Sequence, residues 1–543
     1  MEETTLPAAS SGDLNKKSAA KELLTGQMAE SDAKGNFLLK ACIFATGLAG
    51  IVAEYVMSTL ASYLLGNSVL QWTLTISIML FAMGVGSRLS KHIKTALLDV
   101  FISIELLLSI FCAISATLTY FLSAYTQSIG LFIYSISFII GLFIGLEIPL
   151  ATRLNDFFED LRINISSVME KDYYGALLGG LLFAFVALPY LGLTYTPIIL
   201  GTVNFAVAAA LFFRHRTVLK YRKPLTAGFI LVPLFLAALF ISAKPIVLYG
   251  EQQKYIDKVI YQEQTPYQRI VITQWKNDYW LYLNGNEQFS SFDEERYHEP
   301  LVHPAMAISS VRSNILVLGG GDGLAVREIL KYPEVRKITL VDLDPAVTKL
   351  GQSHPVFLKL NQESLHDSRV QIINQDAYQF LKADNGIYDA IIIDLPDPKT
   401  IELARLYTRE FYQLAVRHLS KGGAIVTQAA SPFFARDAFL SVLKTMRAAG
   451  LPAIAYHNHI PTLGEWGWVL GIHHSNISPE MLKARLTSSE FTNIDTRFLN
   501  RDAMISMLHF GKGELDRLET VEINQELELK LFHYYKEGNW EFY

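Results

Sequence analysis

Ile315-Leu-Val-Leu-Gly319-Gly-Gly321-Asp322-Gly323 is an unbroken apolar run that ends in a glycine turn, with an aspartate set inside the turn. It reads as a buried strand feeding a helix. Three later stretches repeat the theme of an apolar strand closed by carboxylates. They are Leu340-Val-Asp342-Leu-Asp344, the strand before Gln375-Asp376, and Tyr388-Asp-Ala-Ile-Ile-Ile-Asp394-Leu-Pro-Asp397-Pro398. That is the order of a nucleotide-binding α/β sheet, whose ligands lie outside the carboxyl ends of the strands. The pattern predicts strands at 314–319, 337–342, 370–374, 388–394 and 422–428, alternating with helices in a parallel sheet. Strands at 451–458 and 466–473 would form an antiparallel edge, and the acidic stretch 512–543 a solvated helix. Upstream, Tyr267–Trp275 and Tyr279–Asn284 alternate, Asn284-Gly285 supplies a turn, and 293–309 has helical spacing.

This pattern follows a region of different character. Of 543 residues 51% are hydrophobic, mean hydropathy is +0.25, and the excess lies between Phe37 and Ala243. Seven apolar segments, at 38–60, 69–88, 96–120, 128–151, 173–193, 195–213 and 225–243, each approach the length of a membrane span, about 20 residues. The connections alternate in charge. Lys16, Lys17, Lys21 and Lys34 mark the tail, Arg88, Lys91 and Lys94 the second loop, Arg153, Arg162 and Lys171 the fourth, and Arg214 to Lys223 the sixth. The loops at 61–68 and 121–127 and residue 194 carry neither Lys nor Arg. The excess of positive charge on cytoplasmic loops places the N-terminus in the cytoplasm. Seven spans then put the C-terminal half on the other side. The expected fold is therefore an N-terminal α-helical multi-pass membrane domain of seven helices plus a C-terminal α/β, Rossmann-like domain of methyltransferase type with a small β cap. The expected division is a disordered polar tail at 1–36, membrane helices at 37–243, the cap at 244–300 and the Rossmann-like part at 301–543.

A net charge of −5 with no basic patch argues against nucleic acid. Cys42 and Cys112, the two cysteines, both lie in apolar runs, so neither a disulfide framework nor a thiolate zinc site is expected. His473-His474 and the pair His457 and His459 lack ligand spacing, and no metal is expected. The apolar region begins after 36 polar residues, unlike a cleaved signal peptide.

Each motif has two readings. Gly319, Gly321 and Gly323 let a backbone approach a ligand at a helix N-terminus, or simply make a tight turn. The third glycine comes one residue earlier than in the dinucleotide fingerprint, which disfavours NAD. Asp342 and Asp376 end strands where acids take ribose hydroxyls or stand beside an adenine, and either could instead cap a helix. Asp394 and Asp397 flank Leu395-Pro396, as a cation-attracting pair or as turn chemistry. Asp322 bears on the nucleoside. It would repel the carboxylate of S-adenosylmethionine but bind the ammonium of the decarboxylated form; a close charge pair is worth ~1 kcal/mol in water and about fourfold more in a partly dry site. In the membrane half, Glu54, Glu105 and Glu147 lie inside apolar runs, with Asp172 at an edge. They mark either a site or interhelical hydrogen bonds, and Glu54, Glu105 and Glu147 are expected to face the bundle interior.

Together these pieces resemble the spermidine synthase family, the polyamine aminopropyltransferases, over residues 245–480. Tyr267-Gln268, Leu283-Asn-Gly-Asn-Glu-Gln288, Asp293-Glu294, Tyr297-His298-Glu299, the glycine turn, Tyr388–Pro398, Leu406-Tyr407, Gln428, Pro461-Thr462 and Trp466 carry the likeness. The attached helices look like those of the bacterial membrane-fused branch. The resemblance implies transfer of an aminopropyl group from decarboxylated S-adenosylmethionine, a co-substrate rather than a tightly bound cofactor, to putrescine or another polyamine. It implies that Gln268, Asp342 and Asp376 with the adjoining Ala377 hold the nucleoside, and that Asp322 and Gln288 surround the aminopropyl arm. Asp394 resembles the catalytic aspartate; Tyr297, His298, Asp397 and Trp466 resemble the amine pocket. Further expectations are a multi-pass protein of the cell (inner) membrane, with the lipid bilayer as partner, and a homodimer through the synthase domain. Four positions depart from the family pattern: Leu395-Pro396 between the aspartates, Ala377 for glycine, Asp342 for glutamate and Asn284 for aspartate. The competing readings are an S-adenosylmethionine-dependent methyltransferase, which Asp322 disfavours, and a membrane polyamine transporter or sensor with a non-catalytic synthase-like domain.

Overall fold

The structure is a computed structural model that describes residues 32–66, 68–126, 128–156 and 161–540. The expected polar tail lies outside the described residues as far as residue 31. The chain divides into two compact units, Met1–Ile256 and Asp257–Tyr543.

The first unit is helical. Its helices are α1 (Asp32–Leu65), α2 (Ser68–Ser90), α3 (Leu97–Ser123), α4 (Ile129–Asn155), α5 (Leu161–Leu182), α6 (Gly192–Arg214) and α7 (Arg222–Gln252). Small residues let its helix backbones approach closely. Thus a Cβ on Gly86 would lie 2.1 Å from the Leu142 carbonyl oxygen, and one on Gly145 would lie 2.1 Å from that of Met83. Among the described residues six helices are long and apolar enough to cross a membrane, by length and composition. Seven segments are expected from sequence; two of them, 173–193 and 195–213, fall within one helical stretch, Arg162–Arg214. The uncharged connection at residue 194 does not end the helix; the chain continues through a π-helical segment, Phe183–Leu191, and turns at Gly192, where φ is 61°. The change of pattern at Lys244 does not end a helix either. α7 runs through Pro245 to Gln252. Glu54, Glu105 and Glu147 are buried within the bundle.

The second unit begins with the expected cap. Strands β1 (Lys258–Gln264), β2 (Arg269–Trp275), β3 (Asp278–Leu283) and β4 (Asn286–Ser290) form an antiparallel sheet in that order. Asn284 and Gly285 take φ of 52° and 78°, the left-handed pair that a two-residue hairpin requires. After α8 (Glu295–Ile308) come β5 (Asn314–Gly319), α9 (Leu324–Leu330), β6 (Lys337–Asp342), β7 (Val370–Asn374), β8 (Tyr388–Asp394), β9 (Leu419–Gln428), β10 (Ala453–Ile460) and β11 (Gly464–Ile472). Their order is β10-β11-β9-β8-β5-β6-β7, with β5 to β9 parallel and β10 and β11 an antiparallel edge. Leu316, Val317, Leu318, Ile391, Ile392 and Ile393 are fully buried, as expected of strands covered on both faces. The order reverses between β5 and β8, so the sheet opens its ligand crevice there, where Gly319 pairs with Asp394.

A further sequence expectation fails. The stretch 512–543 is not a solvated helix: among its described residues the helix is short, Lys530–Lys536, and Leu531 and Tyr535 are buried. Its acidic residues lie largely on turns, while Val521, Leu531, Tyr535 and Trp540 pack on the apolar cluster beside the sheet.

Candidate active site

The turn after β5 is shaped by what its glycines must clear. Gly319 and Gly320 have φ of 83° and 66°, conformations that side chains rarely adopt. A Cβ on Gly320 would lie 3.0 Å from Asp394 Oδ2, and one on Gly321 would lie 2.7 Å from Asp342 Oδ2. The turn therefore lies against both carboxylates. Gly321 N donates to Asp342 Oδ2 at 3.0 Å, and Asp344 N donates to Asp342 Oδ1 at 2.9 Å. Burial pushes the Asp342 carboxyl up to about 6, against these two hydrogen bonds. Gly323 takes φ of 85° as the residue before α9, and Leu324 N donates to Asp322 Oδ1 at 2.8 Å.

Asp394 ends β8 opposite this turn. Tyr297 Oη, from α8, donates to Asp394 Oδ1 at 2.9 Å. Ligand atoms of His298, Asp322 and Asp394 all lie within 4.8 Å of one another. Burial raises the Asp394 carboxyl to about 6 and Asp322 adds to the rise, while His298 and the Tyr297 hydroxyl oppose it. Burial also lifts the Tyr297 hydroxyl well above its ordinary range, with Asp394 contributing. His298 is held from behind: its Nδ1 is 3.1 Å from Glu294 Oε2, and Arg327 bonds both oxygens of Glu294 at 2.9 and 2.8 Å. Burial pulls the imidazole down, but the Glu294 carboxylate outweighs it and holds His298 at about 9. An imidazolium here would balance the two aspartates beside it.

Asp397 forms a second centre at the mouth. Tyr535 Oη donates to its Oδ2 at 2.6 Å and Gln428 Nε2 to its Oδ1 at 3.2 Å, while Lys399 Nζ stands 3.9 Å from Oδ2. Tyr407 Oη holds the loop by donating to the carbonyl oxygens of Leu395 (3.1 Å) and Pro396 (3.0 Å). Burial raises the Asp397 carboxyl, with Lys399, Tyr535 and Gln428 opposing.

The chain matches the Spermine/spermidine synthase domain over residues 294–507. It is 44% identical to Polyamine aminopropyltransferase 2 of Aquifex aeolicus, covering 92% of this chain and 98% of that protein. It is 36% identical to the Polyamine aminopropyltransferase of Oceanobacillus iheyensis, covering 91% and 96% of the two chains. The chain belongs to the polyamine aminopropyltransferase family. A solved spermidine synthase in complex with the transition state analogue AdoDATO is 25% identical over 48% of this chain and 88% of its own, with a TM-score of 0.43.

Against the aminopropyltransferase expectations, the structure brings together Gly319, Gly321, Asp322, Tyr297, His298, Asp342 and Asp394 along the crevice. Gln268 reaches the same rim but bonds Asp344 rather than Asp342, with Nε2 3.0 Å from Asp344 Oδ2. Asp344 caps the helix Pro345–Ser353. Asp376 takes the capping reading: Oδ1 caps the helix Ala377–Ala383, accepting from Gln379 N at 2.9 Å, while Arg405 stands 3.6 Å from Oδ2. Ala377 is the first, buried residue of that helix. Gln288 directs its amide to the carbonyl oxygens of Asn286 and Glu287. Trp466 is buried in the same apolar cluster as Tyr297, and its indole N–H has no hydrogen-bond partner among the described residues. Sequence reasoning named neither Lys399 nor Tyr535. Lys399 carries a faint signal, a lysine just after Asp397-Pro398; Tyr535 carries none, being 138 positions from the carboxylate it bonds.

Proposed function

We propose that the second unit transfers the aminopropyl group of decarboxylated S-adenosylmethionine to an amine such as putrescine, with Asp394 as the base. Aminopropyl transfer is the reaction named for the family to which the chain belongs. The observation that carries the assignment is the position of the Asp394 carboxylate at the sheet's switch point, hydrogen-bonded by Tyr297 and facing His298 and Asp322. The co-substrate carries a sulfonium, so carbon–sulfur cleavage needs no covalent intermediate. The amine nitrogen attacks the aminopropyl carbon beside the sulfur in line; the new C–N bond forms as the C–S bond breaks, and methylthioadenosine leaves. An alkylammonium, with pKa of about 10.4, must first lose a proton to expose its lone pair. Asp394 accepts that proton, positioned by Tyr297. Asp342, Asp376 and Gln268 would hold the nucleoside, and Asp322 the ammonium of the aminopropyl arm. Asp397 and Trp466 would line the amine side.

The first unit would anchor the enzyme in the cell membrane, with the N-terminus in the cytoplasm, on the alternation of Lys/Arg-bearing and uncharged connections. A second copy through the α/β unit is the expected oligomeric partner. The deciding experiment incubates full-length protein in detergent with decarboxylated or intact S-adenosylmethionine and a panel of amines, and identifies products by mass spectrometry. Methylthioadenosine and a lengthened amine are expected with the decarboxylated form; methylated product from the intact form would overturn the reading.

A further inference from the structure

We propose that Lys399 is an internal stand-in for the acceptor's ammonium, occupying the amine subsite at Asp397 until a substrate amine displaces it. The inference rests on the aminopropyl-transfer reading above and adds a residue that sets acceptor affinity.

The surroundings of Lys399 are those a free alkylammonium would need. Its Nζ donates to Asn286 Oδ1 at 2.6 Å, where the β3–β4 turn of the cap approaches the loop after β8. It stands 3.9 Å from Asp397 Oδ2. It also lies over two aromatic faces, 5.6 Å from the ring centre of Tyr535 and 5.8 Å from that of Trp540. A carboxylate, an amide oxygen and a pair of rings together form a cage for a primary ammonium. The other two groups bonded to Asp397, Tyr535 Oη and Gln428 Nε2, are neutral donors, so Lys399 provides the charge that balances it.

The contact is also built to be released. Lys399 N donates to the Asp397 carbonyl oxygen at 2.7 Å, which fixes the backbone of the short loop. Only the four-carbon stem has to swing for Nζ to leave. At 3.9 Å the ammonium is near Asp397 without a close hydrogen bond to it, leaving both carboxylate oxygens to their neutral partners. The Lys399 side chain is 34% exposed, so its ammonium has a short path to solvent. An incoming amine that brings the same charge and takes the same cage replaces one ammonium by another, and Lys399 moves to water.

The test compares wild type with Lys399→Met, Lys399→Gln and Lys399→Arg in the full chain. Calorimetric titration of putrescine into protein saturated with methylthioadenosine gives Kd, and steady-state methylthioadenosine release gives KM and kcat. The stand-in model expects Kd and KM for putrescine to fall at least fivefold in the Met and Gln variants, with kcat within twofold of wild type and the Arg variant close to wild type. If Lys399 is instead a strut between cap and C-terminal segment, the Met and Gln variants bind putrescine more weakly or unchanged, and the proposal is overturned. Two neutral variants keep the test open should one fail to fold. Wild-type turnover separates the two levels: no aminopropyl transfer by wild type to any amine sinks the functional reading, whereas normal turnover with an unchanged Kd in the variants sinks the role of Lys399 alone.

Discussion

Asp394 faces a hydroxyl, an imidazolium and a second carboxylate, and each acts differently on its proton. Tyr297 and His298 favour the charged form; burial and Asp322 favour the neutral one, and the carboxyl stands at about 6. A base must be deprotonated, so kcat/KM for methylthioadenosine release is expected to fall as pH drops through 6 and to level off above it. Asp394→Asn should lose about 10²-fold or more in turnover while calorimetry finds methylthioadenosine binding nearly intact. Near-normal turnover in that variant would remove Asp394 as the base. Asp322→Asn should weaken decarboxylated S-adenosylmethionine far more than methylthioadenosine, which lacks the ammonium; equal weakening in paired titrations would leave Asp322 a turn residue. His298 adds a stability term. Its folded value, about 9, lies above an unfolded ~6.5, so its stabilisation is complete below ~6.5 and is lost as pH rises through 9. At 1.36 kcal/mol per unit that is on the order of 3 kcal/mol. Wild-type Tm should fall between pH 7 and 9.5, and His298→Gln should flatten the dependence. Asp394 was legible in the sequence because it ends an apolar strand. The Glu294–His298–Arg327 chain was not, because only folding brings Arg327 beside Glu294, 33 positions away.

The turn between β5 and α9 is the element on which the site depends. Gly320→Ala would place a methyl group 3.0 Å from Asp394 Oδ2 at a φ of 66°. Relief must come from the turn or from the carboxylate, and a misplacement of about 1 Å costs ~10²-fold. Turnover should therefore drop by that order, with Tm lowered by only a few degrees; unchanged kinetics would mean that the turn does not position Asp394. Strands β5 to β8 were read from sequence with the observed bounds, since each is an apolar run with an abrupt polar or glycine end. The stretch 512–543 misleads: its acidic composition suggests a solvated helix, but a few spaced apolar side chains fix the segment against the sheet. The count of membrane segments was blurred for a related reason. Nothing charged marks the turn at Gly192, and hydropathy alone cannot separate two crossings from one long helix.

At the scale of the whole molecule, the helical unit carries acids that aminopropyl transfer does not need. Both Glu105 oxygens, Glu147 Oε1 and Asn204 Oδ1 are buried without a hydrogen-bond partner among the described residues. Those acceptors favour a second reading, in which the helices hold or pass an amine. Glu147→Gln is expected to leave transferase kinetics in detergent within twofold of wild type. In reconstituted vesicles it should reduce polyamine flux; wild-type vesicles without flux in either direction would leave the helices as an anchor.

The bond from Tyr535 to Asp397 also has a consequence for biosynthesis. A ribosome delivers the helices first, then the glycine turn, then Asp342, Asp376 and Asp394, and only 138 residues after Asp397 the tyrosine that steadies it. A nascent chain halted near residue 520 would already hold every group assigned to the nucleoside, yet lack both the Tyr535 hydroxyl and the Trp540 ring.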